Sequence, residues 1–330
     1  MTVSFFTTHG NGPFLSICIP AYNRPVWLKR SLESITSQTS ISADGIEIVI
    51  SDDSTDQACR EIAEQTLQQW SGQWRYVRNS PRLGMAQNWN QALQLASGDY
   101  VILLHDDDFL LENAVETIQR VIQRWRETYP VLLFGVRVVN EHEKILKRQS
   151  VQAAVYLPPE AALKQLLSNS SFVRFPAIAF QRQILASSGY FDPAMGGVAD
   201  LEMWVRLFSQ YGVFYYPAIT CAYTVHSQAL TMDMFNQQTV EQLLTLFQQV
   251  EQQQLLNPTD LQTCQALFFH QFILAGTFRF LRRGKFDQVV RVMNLFHLQP
   301  IASLKPPLKW RPLRKLFELF AAFYQLTTGK

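Results

Sequence analysis

Through the first 140 positions the apolar residues come in short β-branched runs, with segments of helical period between them. Leu15–Pro20, Ile46–Ser51, Trp74–Arg78, Tyr100–His105 and Val131–Asn140 predict strands. Between them, Val26–Ile35 sets Leu28, Leu32 and Ile35 on one face, Gln57–Trp70 follows a Ser-Thr-Asp segment, and Met85–Ala96 follows Gly84, so each reads as a helix. Repeated strand, helix, strand predicts an α/β fold built on a mainly parallel sheet flanked by helices. Beyond residue 140 Pro158, Pro159, Pro176, Gly189, Pro193 and Gly196-Gly197 break the pattern into shorter elements. After Met232 it turns helical, over Phe235–Leu256 and Gln265–Leu281. Gly284 marks a helix end, and Pro300–Pro312 leads into a final helix.

Composition adds a charge asymmetry to this outline. With 330 residues, 47% of them hydrophobic, the chain can bury a full core, so it reads as one large domain or one domain with an extension. The net charge is only +2, yet residues 279–330 hold 11 of the 29 Lys/Arg against two acids, Asp287 and Glu318. The rest is left with 18 basic and 25 acidic side chains, which points to different surroundings for the two parts. Cys18, Cys59, Cys221 and Cys264 are scattered without a Cys-x-x-Cys pair, as in a reducing compartment. The first residues lack a basic stretch followed by an apolar one, and no run of about 18 apolar residues occurs, so a cytoplasmic location is expected.

Open α/β sheets bind ligands beyond the carboxyl ends of their strands. Asp52 and Asp53 leave one predicted strand there, and Asp106, Asp107 and Asp108 leave another, so two acidic groups distant in sequence should meet at one rim. Three consecutive carboxylates raise one another's proton affinity unless a cation offsets them. Oxygen ligands with one adjacent imidazole, His105, suit Mg²⁺ or Mn²⁺. The alternative is that these acids cap a helix starting near Leu111–Ala114. The Asp52–Asp56 segment can likewise cap the helix after it through Ser54 or Thr55, while Asp53 could accept a hydrogen bond from the imide N–H of a base. Asp200 and Glu202 stand at the start of a helix that turns Trp204 and Leu207 inward; His226 could be a ligand or an ordinary packed histidine.

Taken together, over about residues 14–232, these segments resemble the inverting family 2 glycosyltransferases with the A-type fold. The likeness is carried in order by Ser16-Ile-Cys-Ile-Pro20-Ala-Tyr22-Asn23-Arg24, Val49-Ile-Ser-Asp52-Asp53-Ser54-Thr55-Asp56, Gly84-Met-Ala-Gln-Asn88, Ala96-Ser-Gly98-Asp99-Tyr100 and His105-Asp106-Asp107. The resemblance implies a catalytic domain over 1–232, with a nucleotide-binding half over about 14–140, an acceptor half over about 141–232, and a helical extension over 233–330. It implies nucleotide contacts from Pro20, Tyr22, Asn23, Arg24, Asp53 and Asp106, and metal ligation by Asp107 with His226 and Asp108. Asp200 is the implied catalytic base, with acceptor-side or secondary roles for Gly197, Glu202, Trp204 and His105. Two departures stand out: His105 fills the first acidic place of the Asp-x-Asp motif, and Ala199 replaces the Glu that usually precedes the base.

The implied reaction moves a sugar from a nucleotide diphosphate donor, UDP being the commonest, to a glycan or lipid-linked hydroxyl in surface polysaccharide or glycolipid synthesis, with Mn²⁺ or Mg²⁺. A module that binds nucleotide sugar without turnover is the alternative. The final segment places Leu313, Leu316, Phe317, Phe320 and Phe323 at helical spacing beside Lys309, Arg311, Arg314 and Lys315, a pattern that fits either an anionic membrane surface, peripheral at the inner face, or a protein surface. Bulky apolar residues in that basic tail argue against nucleic acid. With no Gly-x-Gly-x-x-Gly after the first strand, a dinucleotide-binding dehydrogenase is also disfavoured.

Overall fold

The structure is a computed structural model that describes residues 13–38, 45–226 and 234–328. The opening stretch read for a leader and the proposed boundary at 232 lie outside the described residues. In chain order the elements are β1 (Leu15–Ala21), α1 (Pro25–Thr36), β2 (Ile46–Asp52), α2 (Ala58–Leu67), β3 (Gln73–Arg78), α3 (Met85–Leu95), β4 (Tyr100–Leu103), β5 (Phe109–Leu110), α4 (Ala114–Trp125) and β6 (Val131–Asn140). There follow β7 (Ile145–Gln149), β8 (Val155–Leu157), α5 (Pro159–Ser168), β9 (Ile178–Gln181), α6 (Leu185–Ser188), α7 (Ala199–Tyr211), β10 (Val213–Val225), α8 (Gln237–Gln252), α9 (Pro258–Arg282), α10 (Phe286–Asn294) and α11 (Arg311–Thr328).

Two compact units emerge, one comprising 1–159, 173–193 and 206–226, the other 160–172, 194–205 and 227–330. The first carries a sheet of order β3-β2-β1-β4-β9-β6-β10-β5, with β7 added to β6 and β8 to β10. Strands β3, β2, β1 and β4 run parallel, as do β6 and β10. The fold class is therefore as expected, with the short strands β5, β7 and β8 joined antiparallel at the far side and β9 lying antiparallel between β4 and β6. The four residues of β9 are too short to show a period, and they sit in the stretch where the sequence pattern breaks. Continuous apolar runs suit strands covered on both faces, and every residue of β1, β2 and β4 is buried.

One buried acid braces this parallel core from within. Glu47, on β2, accepts hydrogen bonds from Ser16 Oγ (2.6 Å) and the Ser97 amide (2.8 Å), and Ser16 Oγ in turn accepts from Gly98 N (2.8 Å). A Cβ at Gly98 would lie 2.7 Å from Ser16 N and 2.9 Å from the Leu15 carbonyl carbon, so only glycine lets this loop close on β1.

The second unit is helical. Pro258 at the first turn and the Asn257 side chain, which accepts from Asp260 N, start α9. Helix α9 packs against α8, α10 and α11, and Phe247, Phe268 and Phe269 form an aromatic cluster between α8 and α9. Among the described residues no helix is long and apolar enough to cross a membrane.

Candidate active site

Both acidic segments lie at the carboxyl end of the parallel strands, where topology requires them to converge, and each has a distinct environment. Ala21 and Asp52 are register partners at the ends of β1 and β2, and Asp53 N donates to Ala21 O (3.0 Å). The Asp53 carboxylate is 3% exposed. Its Oδ1 accepts from Asn79 Nδ2 (2.8 Å) and Leu83 N (3.1 Å), and its Oδ2 from Gly84 N (2.7 Å). Gly84, at φ 83°, is the N-cap of α3, so Asp53 fixes the start of that helix from outside it. Asn79 Nδ2 also reaches Asn88 Oδ1 (3.0 Å), and Asn88 donates to Ala21 O (3.3 Å), which closes a buried polar net around the rim. Asp52 accepts from Ser54 N (2.8 Å) and from the Tyr76 hydroxyl.

Capping of α2 falls to neither Ser54 nor Thr55. The N-cap is Gln57, without a side-chain cap bond, and just ahead of it Asp56 Oδ1 accepts from Ala58 N (3.0 Å). Ser54 and Thr55 serve the neighbouring loop. Asn23 N donates to Ser54 Oγ (2.8 Å), and Thr55 N donates to Asn23 Oδ1 (2.8 Å). Asn23 takes φ 52°, a left-handed conformation that asparagine tolerates, and so holds Tyr22 and Arg24 over the second acidic segment.

Strand β4 ends at Leu103, two residues earlier than the apolar run suggests, and His105–Asp108 form a turn leading to the short β5. The acids do not cap α4. Its N-cap is Asn113, with no side-chain cap bond, so the capping explanation fails. Tyr22 N donates to Asp106 Oδ2 (3.0 Å), while Arg24 Nη1 lies 3.3 Å from Asp106 Oδ1 and 2.6 Å from Asp107 Oδ2. His226 Nε2 reaches the same Asp107 Oδ2 at 2.9 Å. Asp108 Oδ1 accepts from Thr224 N (2.8 Å), but its Oδ2 is buried without a hydrogen-bond partner among the described residues, as is His105 Nε2.

These carboxylates crowd one another in a dry place. Burial, and then the neighbouring Asp107 charge, push the Asp106 carboxyl up to about 7; the same causes push Asp108 well above the carboxylate range. Burial works to raise Asp107 too, yet the hydrogen bond with His226 and the nearby positive charges hold it below its ordinary value. Burial lowers His105 to about 4, which leaves a neutral imidazole able to donate a lone pair. Ligand atoms of His105, Asp107 and Asp108 all lie within 4.8 Å of one another. Those donors, two of them carrying orphaned buried atoms, fit a hard divalent cation. His105, expected to be secondary, belongs to this group, and its ring is fixed between Trp89 (centroids 5.5 Å) and Phe175 (4.3 Å).

Several participants escaped the sequence reading. Arg30 donates to the Asp107 carbonyl oxygen and to Thr224 Oγ1 (2.9 Å) and lies over the Trp27 and Phe109 rings. Trp27 stacks on His226 with centroids 5.0 Å apart. The helical face of α1 gave a signal for packing only; nothing local marks Arg30 as reaching a loop 77 positions later. Tyr22 is 41% exposed with the Arg82 guanidinium over its ring, and Pro20 faces Ser51 across the β1–β2 pair.

Gly197, Asp200, Glu202 and Trp204 belong to the second unit, whereas the acidic rim and His226 belong to the first. Gly196 takes φ 51°, and α7 begins directly after this turn with Asp200 and Glu202 in its first turn. Asp200 Oδ1 accepts from Leu201 N (2.7 Å); Trp204 and Leu207 are buried, as their helical spacing requires.

The family model of glycosyl transferase family 2 matches residues 16–188. The chain belongs to glycosyltransferase family 2. It is 28% identical over 207 residues to a GalNAc(5)-diNAcBac-PP-undecaprenol β-1,3-glucosyltransferase of Campylobacter jejuni, which covers 62% of this chain and 63% of that one. The chain spans under two thirds of the length of the first curated relatives it matches. Its fold is shared with S. aureus TarS 1-349 in complex with UDP-GlcNAc (TM-score 0.62, 15% identity, 93% of this chain and 88% of that one). It is also shared with a Pyrobaculum calidifontis mannosyltransferase in complex with GDP-Man and Mn²⁺ (TM-score 0.58, 16% identity, 96% and 88%). These family 2 relatives and the A-type neighbours bear out the family and the fold expected from the motifs.

Proposed function

We propose that this chain is an inverting, metal-dependent glycosyltransferase that moves a sugar from a nucleoside diphosphate donor to an acceptor hydroxyl. The observation that carries the reading is the crowded acidic turn His105–Asp108, with buried ligand atoms that find no hydrogen-bond partner among the described residues, at the carboxyl end of parallel strands. Asp107, Asp108, His226 and His105 would hold Mn²⁺ or Mg²⁺, and such an ion supplies charge neutralisation on a leaving diphosphate. Asp106 fixes the Tyr22 loop and Arg24, which with Pro20 and Asn23 flank the nucleotide. Asp53 has one acceptor site left on Oδ2, since a carboxylate oxygen takes two hydrogen bonds, and this site suits a base imide N–H.

In the proposed reaction Asp200 accepts the proton of the acceptor hydroxyl as that oxygen bonds to the anomeric carbon. The bond from that carbon to the diphosphate oxygen breaks on the opposite face, its electron pair leaving with the nucleotide, so configuration inverts. Glu202 is the reserve base, and Gly197 and Trp204 shape the acceptor side. We take 1–232 as the catalytic domain and 233–330 as a helical extension. A UDP-sugar donor is the first choice, supported by the complex of a fold neighbour with UDP-GlcNAc. A lipid-linked glycan acceptor is supported by the undecaprenol-linked substrate in the name of the Campylobacter relative. A cytoplasmic location fits four buried, unpaired cysteines.

The test is nucleotide release from a panel of UDP-, GDP- and dTDP-sugars with Mn²⁺, Mg²⁺ or EDTA. Metal-dependent release from one donor, lost in Asp107→Ala and strongly reduced in Asp200→Asn, is expected. Ala199, standing where the family carries Glu, favours one rival, a binding module without turnover. Binding without release, unchanged by Asp200→Asn, would establish that rival.

A further inference from the structure

Helix α11 is apolar on two opposite sides, which a helix needing only to dock on its own protein does not require. Its inner side carries Phe317 and Ala321, both buried, with Phe320 and Tyr324 packed on the Phe286 ring of α10. Arg314 anchors that side further: its Nη1 lies 3.0 Å from His270 Nε2 on α9, and its Nε donates to Glu318 (2.7 Å). The outer side carries Leu316 (60% exposed), Leu319 (62%), Phe323 (67%) and Leu326 (85%). At 3.6 residues per turn these four fall within about 80° of one another, roughly opposite the buried pair. The stripe read from the sequence as one face, with Leu316, Phe317, Phe320 and Phe323 together, is thus split in two by the fold.

Charge selects what covers the outer side. Lys305, Lys309, Arg311 and Lys315 are all exposed at the amino-terminal end of this helix and its approach, beside an exposed Leu308. The single acid of residues 288–330 is Glu318, already paired with Arg314. A second copy packed α11 against α11 would set like charges together, while the two nearby acids, Glu318 and Asp287, are already engaged by Arg314 and Tyr324. An anionic lipid surface meets both features, taking the leucine and phenylalanine side chains among its acyl chains and the four cations among its headgroups.

We propose that the outer face of α11 is a docking surface for an anionic phospholipid bilayer, on which the chain lies peripherally. The proposal rests on the second unit alone and stands or falls separately from the catalytic reading. The full chain is expected to co-sediment with vesicles containing phosphatidylglycerol and not with pure phosphatidylcholine vesicles. Leu319→Asp/Phe323→Asp should weaken that binding by an order of magnitude or more, with circular dichroism unchanged since both side chains face outward. Lys309→Gln/Arg311→Gln/Lys315→Gln should weaken it by about fivefold for each charge removed, and high salt should do the same. Failure of the wild-type chain to bind the anionic vesicles, or equal binding to neutral ones, overturns the proposal. So does a dimer in light scattering that Leu319→Asp/Phe323→Asp dissociates, because a second copy then covers the face.

Discussion

Two acidic turns leave the same edge of one parallel sheet, after β2 and after β4, and they are built in opposite ways. At the first, Asp52 and Asp53 accept from several donors of the protein itself, including two main-chain amides at the start of α3, which leave Asp53 Oδ2 with one site open. At the second, Asp106, Asp107 and Asp108 crowd together, Arg24 and His226 converge on one oxygen of Asp107, and Asp108 Oδ2 and His105 Nε2 find no hydrogen-bond partner among the described residues. A buried carboxylate held by several fixed donors is mainly architecture, since those donors stabilise its ionised form. A buried carboxylate left short of partners costs stability unless something from outside supplies the missing charge. The contrast assigns structure mainly to the first turn and cation chemistry to the second.

The contrast can be broken by substitution. Asp107→Ala should reduce sugar transfer by on the order of a hundred- to a thousandfold in a steady-state assay, with the fold retained, because it removes a group that would hold the charge-neutralising ion. A fall of less than about tenfold would remove Asp107 from the chemistry. Asp53→Ala should act on folding instead. It strands the Leu83 and Gly84 amides and takes away one of three acceptors around Asn79 Nδ2, and urea unfolding should show a loss of about 2–4 kcal/mol. Unchanged stability would show that water replaces the carboxylate freely.

Smaller effects sharpen the same division. Mn²⁺ at about a hundred times its dissociation constant should stabilise the wild-type chain by about 2.7 kcal/mol, read as a rise in melting temperature absent from Asp107→Ala. An equal rise in both would place the ion elsewhere. Asp108→Asn should stabilise the metal-free chain by about 1 kcal/mol, since burial and the Asp107 charge disfavour the ionised carboxyl there, while lessening the stabilisation by Mn²⁺. Destabilisation by Asp108→Asn without metal would mean that the carboxylate charge is better compensated than its orphaned oxygen indicates.

Much of the first unit was legible because its strands are buried on both faces, so that Leu15–Ala21 and Ile46–Asp52 read as largely apolar runs. The meeting of the two acidic turns followed from topology alone. What stayed hidden has few local marks. The four-residue β9 has no readable period, and Glu47, a charge inside a core strand, is explained by Ser16, Ser97 and Arg75 arriving from elsewhere in the chain. Arg30 and Trp27 fit the helical pattern of α1, and they reach Asp107 and His226 through folding rather than through proximity in sequence. His105 was seen as a departure from a motif; its neutral, aromatic-walled setting shows how an imidazole can stand at an acidic position. Helix α11 was legible as amphipathic, but which of its apolar residues face inward depends on α9 and α10.

The central claim is that the turn after β4 holds a divalent ion together with a nucleoside diphosphate. Calorimetric titration of UDP, GDP and dTDP into the full chain, with Mn²⁺ or with EDTA, tests it most directly. One of the three is expected to bind at least about tenfold more tightly with Mn²⁺, and Asp107→Ala should abolish that difference. Equal affinity with Mn²⁺ and with EDTA for every nucleotide that binds would contradict the account.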